Sequence, residues 1–184
     1  KSPQALALYL ACLREGVVFV PLNTAYTAEE VGYFVTDATP RLLVCDPAAQ
    51  ARLTPLAEAA GAALLTLDDM GRGSLAEAAA VSASSPAPQD CTPDDLACFL
   101  YTSGTTGRSK GAMLTQDNLL SNARTLARVW RFTAADVLLH ALPIFHVHGL
   151  FVACNVVMSL GGSMIWLPGF SVETVLKALP RATT

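Results

Sequence analysis

The chain has 184 residues, of which 52% are hydrophobic and 15% charged, with a net charge of −3. That composition excludes a disordered chain, which is poor in apolar residues and rich in one charge. It also supplies no net basic field to draw in nucleic acid, so no nucleic-acid partner is expected. The length allows one ordinary domain with its own core. A mean hydropathy of +0.42 is high for so short a chain, as it is when a segment belongs to a larger body that buries more of its surface. The longest apolar stretch, residues 149–160, is broken by Asn155 and falls short of the about 20 residues of a membrane helix, so no transmembrane segment is expected. The start, Lys1-Ser2-Pro3, carries neither an initiating Met nor a signal peptide. The last residues, Arg181 to Thr184, have no tail composition, and both ends read as cut from a longer chain. Cysteines at 12, 45, 91, 98 and 154 are odd in number and lack C-x-x-C spacing. Reduced structural thiols in a cytoplasmic protein are expected, without a disulfide or a zinc site, and three histidines offer no transition-metal cluster.

In chain order, Ser2 is a helix N-cap with Pro3 in the first turn, followed by Leu6, Leu8, Leu10 and Leu13 and closed by Gly16. Residues 17–21 are predicted as a short buried strand. Thr27 to Glu30 has capping-box spacing and opens a second helix that runs to about Asp37. A strand at residues 42–45 ends at Asp46-Pro47, a third helix runs to about Ala60, and residues 63–67 are a strand before a short helix at 74–80. Helix alternating with short apolar strand predicts an α/β layer with a parallel sheet. Residues 82–93 change to Ser, Pro, Asp and Gln and read as an internal linker. The chain therefore divides into residues 1–81, a linker at 82–93, and a second α/β part at 94–184. That second part has strands at 96–101 and 112–114, a helix from Thr115 as cap over about 116–131, and a strand at 137–142. A helix over about 150–160, a strand at 163–167 and a helix opened by Ser171 complete it.

The informative stretch is Tyr101-Thr102-Ser103-Gly104-Thr105-Thr106-Gly107-Arg108-Ser109-Lys110-Gly111. Gly104, Gly107 and Gly111 let the backbone bend and approach a ligand closely, and successive N–H groups in such a loop form an anion-binding concavity. Hydroxyls on Thr102, Ser103, Thr105 and Thr106 add donors. Lys110 adds a mobile positive charge suited to phosphate, and no acidic residue opposes it. A strand precedes the segment, so it lies at a strand end, where ligands bind in α/β sheets. It is not a Walker A loop, because Ser109 precedes Lys110 and Gly111 follows it. A P-loop nucleotide triphosphatase is therefore disfavoured.

Residues 102–111 resemble the phosphate-loop signature of the adenylate-forming superfamily, which includes acyl-CoA synthetases, luciferases and nonribosomal adenylation domains. Met113-Leu114-Thr115 fits the strand and helix cap that follow in that superfamily, while Gln116 stands where many members have His. Leu142-Pro143-Ile144-Phe145-His146-Val147-His148-Gly149-Leu150 resembles the next core motif, in which the resemblance places His146, with His148 beside it, in the acyl-carboxylate pocket. His140 is expected to be structural. Within the superfamily, residues 145–153, together with residues 10–14 and 21–26, are most similar to malonyl-CoA synthetases.

The resemblance implies an incomplete, layered parallel-sheet N-terminal portion of the large domain of an adenylate-forming enzyme. It implies an ATP-dependent acid–CoA ligase, an acid–thiol ligase that adenylates a carboxylate and then passes the acyl group to CoA. ATP, Mg²⁺ and CoA are the implied cofactors and co-substrates, and malonate the implied acid. Thr102, Ser103, Gly104, Thr105, Thr106, Gly107 and Lys110 are expected on the ATP phosphates, with Lys110 and His146 as catalytic residues and His146 and His148 on the acid. The adenine-binding segment, an acidic metal ligand, a ribose-binding Asp and a small C-terminal domain are expected beyond Thr184, so the isolated segment is expected to be inactive and prone to self-association. Two alternatives remain: a ligase for another acyl, aryl or fatty acid, and a non-catalytic module that binds a nucleotide or a partner. The oligomeric state is left open.

Overall fold

In a computed structural model of the chain, which describes residues 1–82, 87–102 and 109–184, Ser2 starts helix α1 (Pro3–Arg14) by accepting the Ala5 N–H at 3.2 Å. Gly16 ends it at φ +64°, with the Val17 N–H bonded back to the Cys12 carbonyl at 2.8 Å, a C-terminal cap that favours glycine. The chain separates into two compact units, Lys1–Leu8 with Leu22–Ala87, and Tyr9–Pro21 with Pro88–Thr184.

In the first unit, helix α2 (Ala28–Ala38) opens on the capping box read from the sequence: Glu30 N–H donates to Thr27 Oγ1 at 3.2 Å, and Thr27 N–H donates to Glu30 Oε2 at 2.8 Å. Strand β1 (Leu42–Cys45) leads through a single tight turn, Pro47–Ala49, into α3 (Gln50–Ala59) and then strand β2 (Ala63–Thr66). The two strands are parallel and in register from Leu42 opposite Ala63 to Cys45 opposite Thr66, as a strand–helix–strand crossover requires. Val31 and Val35 of α2 and Leu53 of α3 are buried, with Leu43, Cys45 and Leu56 packed on them. Full burial of each such aliphatic side chain contributes about 1.5–3 kcal/mol before entropy.

Helix α4 (Ser74–Val81) is tied to β2 by reciprocal bonds, Thr66 N–H to Ser74 Oγ at 2.9 Å and Ser74 N–H to Thr66 Oγ1 at 3.0 Å. Gly73, between them, sits at φ +132°, and a Cβ there would lie 2.4 Å from the Thr66 carbonyl oxygen. Gly73→Ala is therefore expected to destabilise the fold by about 2–3 kcal/mol, read as a lower urea midpoint with an unchanged slope.

The second unit holds the residues of the candidate site. Strand β3 (Leu96–Thr102) pairs with β4 (Lys110–Thr115), and this pairing is antiparallel, an addition to the parallel layer expected from the sequence. Thr115 caps helix α5 (Gln116–Trp130) through Asn118, and the Gln116 side-chain amide reaches the Leu13 carbonyl at 3.4 Å. The buried residues Leu119, Ala123 and Ala127 repeat every four positions on one face of α5. Strand β5 (Val137–His140) pairs in parallel with β6 (Ser163–Trp166) across a π-helical turn, His148–Cys154, and helix α6 (Asn155–Leu160). Val156 and Val157 of α6 bury against Ala127 and Phe132, with Leu138 and Met164 of the two strands beside them. Helix α7 (Val172–Ala178) follows Ser171, which makes no side-chain cap.

Residues 17–21, expected as a strand, make a single bridge: Phe19 N–H donates to the Ala97 carbonyl at 2.9 Å, and Phe99 N–H donates to the Phe19 carbonyl at 3.0 Å. The reason is local. The Val17 N–H is already used in capping α1, and Pro21 has no N–H to give. The helix expected over 150–160 is also divided, its first half being the wider π turn.

Candidate active site

Two groups of candidate residues belong to the second unit. The first flanks the Gly/Ser/Thr segment. Thr102, the last residue of β3, and Lys110, the first of β4, face one another in the antiparallel register, and both are exposed. Ser103, Gly104, Thr105, Thr106, Gly107 and Arg108 lie outside the described residues. Gly111 is not at a bend, contrary to the expectation from sequence: it lies within β4 opposite Tyr101, and a Cβ there would come within 3.3 Å of the Tyr101 ring. Its small size makes room for that ring.

Beneath the hairpin the chemistry is inert. Cys98 of β3 is fully buried, and desolvation pushes its thiol up to about 12, so it stays protonated at neutral pH and is no nucleophile. Tyr9, packed edge-on to Phe19 at 5.3 Å and bonded to Asn155 at 3.1 Å, has its phenol raised by the same burial.

The second group follows the carboxyl end of β5. His146 and His148 are exposed, and their rings stack with centroids 5.4 Å apart and planes within 12°. The His148 N–H donates to His146 Nδ1 at 3.4 Å. His140 is a buried core residue, as expected: its ring stacks on Trp166 at 4.7 Å and its Nε2 is 2.8 Å from the Gly149 carbonyl oxygen. Sequence reasoning missed Gly149 and Cys154. A Cβ on Gly149 would lie 2.0 Å from the Pro143 carbonyl oxygen, and the Cys154 thiol donates to the Gly149 carbonyl at 3.0 Å. The Gly placed directly after His-x-His was the available signal.

Among the described residues no group of three or more His, Cys, Asp or Glu could hold a metal ion, and no helix is long and apolar enough to cross a membrane. None of the five cysteines is in a disulfide.

Two parallel strand–helix–strand units, together with the antiparallel hairpin that carries Thr102 and Lys110, define an α/β protein. The chain belongs to the family described as AMP-binding enzyme, which matches residues 1–183. It superposes on the ATP-bound crystal structure of MatB from Rhodopseudomonas palustris with a TM-score of 0.96 and 56% identity, covering 100% of this chain and 36% of that one. The fold is thus that of part of an adenylate-forming enzyme, as the sequence implied. An oxalate–CoA ligase of Arabidopsis thaliana is 38% identical over 91% of this chain and 34% of its own length. The mitochondrial malonate–CoA ligase ACSF3 of Mus musculus is 35% identical over 87% and 27%. The chain therefore spans about a third of the length of the proteins it matches.

Proposed function

We propose that this chain is the phosphate- and acid-handling part of an AMP-forming acid–CoA ligase, with malonate as the acid. The observation that carries the reading is its likeness along its whole length to an ATP-bound relative, joined to a Lys110 that flanks a hydroxyl- and glycine-rich segment at a strand end. The relatives named for oxalate and malonate support a short dicarboxylate, and one named for indoleacetate, 32% identical over 98% of this chain, keeps an aryl acid as the alternative.

In the first step a carboxylate oxygen attacks the α-phosphorus of ATP, and the bond to the β-phosphate oxygen breaks. Acyl-adenylate forms and pyrophosphate leaves with the bonding pair. Lys110, the hydroxyls of Thr102, Ser103, Thr105 and Thr106, and the backbone N–H groups of Gly104 and Gly107 hold the β- and γ-phosphates and take up charge on the departing pyrophosphate. His146, with His148 stacked on it, orients the acid; holding the reactants in line supplies most of such a rate enhancement. In the second step the CoA sulfur attacks the acyl carbon and AMP leaves, the thiol proton passing to solvent. Mg²⁺, which is bound by one or two carboxylates together with phosphate oxygens and water, would neutralise charge on the β- and γ-phosphates beside Lys110. Cysteines outside any disulfide suit the cytoplasm, and the relative named mitochondrial makes a mitochondrial location the alternative.

Specificity is the test. With the full-length protein, kcat/KM for malonate is expected to exceed that for acetate or benzoate by roughly 10²-fold or more, since a site built for a second carboxylate rejects acids that lack it. Equal values for all acids would remove malonate. A higher value for oxalate would keep the reaction and change the acid.

A further inference from the structure

The segment that carries His146 and His148 is held from below. His140 closes β5 and is only 1% exposed. Its Nε2 lies 2.8 Å from the Gly149 carbonyl oxygen. A carbonyl can only accept, so Nε2 carries the hydrogen and donates it. The Cys154 thiol, also buried, donates to the same oxygen at 3.0 Å, with its sulfur 3.4 Å from His140 Nε2. One carbonyl thus takes two side-chain donors, as its two lone pairs allow. Trp166, opposite His140 in the β5–β6 register, stacks on the imidazole with planes 16° apart and restrains its rotation.

Gly149 is confined on its other side as well, against the Pro143 carbonyl. The next residue, Leu150, donates its N–H to the His146 carbonyl at 3.0 Å. A fixed Gly149 therefore fixes the backbone of both exposed histidines, one directly and one through Leu150. The turn that begins at His148 is π-helical, a form that occurs mostly as single turns, often at functional sites. A π turn needs local support to outcompete the ordinary helix, and the doubly bonded Gly149 carbonyl provides it.

We propose that His140 and Cys154 are positioning residues, a clamp on the Gly149 carbonyl that fixes the turn presenting His146 and His148 to the acid. The proposal rests on the acid-binding role given to His146 above. It is tested in the full-length protein with His140→Leu, which removes the donor, and His140→Gln, whose amide N–H replaces it. The two readouts are hydrogen exchange of the Leu150 amide and the KM values for acid and ATP. His140→Leu is expected to speed Leu150 exchange about tenfold, the loss of one buried hydrogen bond. It is expected to raise the acid KM roughly tenfold to a hundredfold through misplacement, with the ATP KM within about twofold, outside the reach of this turn. His140→Gln restores both. Cys154→Ala, which leaves His140 in place, gives a smaller change in both readouts and carries the test should His140→Leu not fold. Unchanged Leu150 exchange in the variants overturns the clamp. Faster exchange with an unchanged acid KM overturns the positioning role, and His146→Ala then separates the causes. A raised acid KM in His146→Ala leaves the fault with the clamp alone, whereas an unchanged one means that His146 does not bind the acid.

Discussion

Lys110→Ala in the full-length protein is expected to lower kcat for adenylation by roughly 10²–10³-fold, the loss that follows removal of one preorganised group from a developing negative charge. The side chain starts β4 opposite Thr102 and is exposed, so the substitution removes no core contact, and the melting temperature is expected to stay within a degree or two. The step affected is the one in which pyrophosphate departs. Malonate-dependent ATP–pyrophosphate exchange should fall with kcat, while thioester formation from separately supplied acyl-adenylate should stay near the parent rate. Lys110→Arg retains the charge but not the compact ammonium, and recovers part of the loss. Full activity in Lys110→Ala would move the phosphate site elsewhere.

Gly149→Ala is expected to have the largest effect on the fold itself. The added methyl would lie 2.0 Å from the Pro143 carbonyl oxygen and 2.8 Å from its carbon, and these are backbone atoms that cannot rotate away. Overpacking of this kind costs about 3 kcal/mol. In a domain of marginal stability that is a large part of the total. The expected results are a clear fall in the urea midpoint and, in the protein that remains folded, a weakened bond between the Gly149 carbonyl and His140. Unchanged stability would mean that residues 143–149 can rearrange, and that the close approach is not required.

Signals within one turn of a helix were readable. Ser2, Thr27 with Glu30, and Thr115 each have an oxygen at the spacing that satisfies the first free N–H groups, and each makes that bond. Strands β1, β2, β5 and β6 were legible because short apolar runs between helices have few other places to go. The direction of β3 and β4 was not. The run at residues 96–101 is almost wholly apolar, a pattern that fits a strand buried in a parallel sheet or in a sandwich core alike, so it did not give its partner's direction. Nor could the pattern separate the π turn from an α-helix over residues 148–154, since the buried residues Leu150, Phe151 and Cys154 have helical spacing, and the His140 bond to the Gly149 carbonyl comes from another element. In the candidate site, Thr102 and Lys110 were singled out by residue type, as hydroxyl and cation suited to phosphate, whereas His146 and His148 entered only through the resemblance. The role of Gly111 was misread, because a glycine beside a loop suggests a bend when its requirement is the width of the Tyr101 ring across the hairpin.

An enzyme that joins malonate to AMP before CoA is involved, as proposed above, exchanges pyrophosphate into ATP without CoA. The direct measurement is ATP–[³²P]pyrophosphate exchange by the full-length protein, with malonate present and CoA absent. The expected result is exchange that depends on malonate, saturates with it, and is lost in Lys110→Ala. Exchange that is absent with malonate and with every other acid tested, in a protein that binds ATP, would contradict it and leave a nucleotide-binding module in place of a ligase.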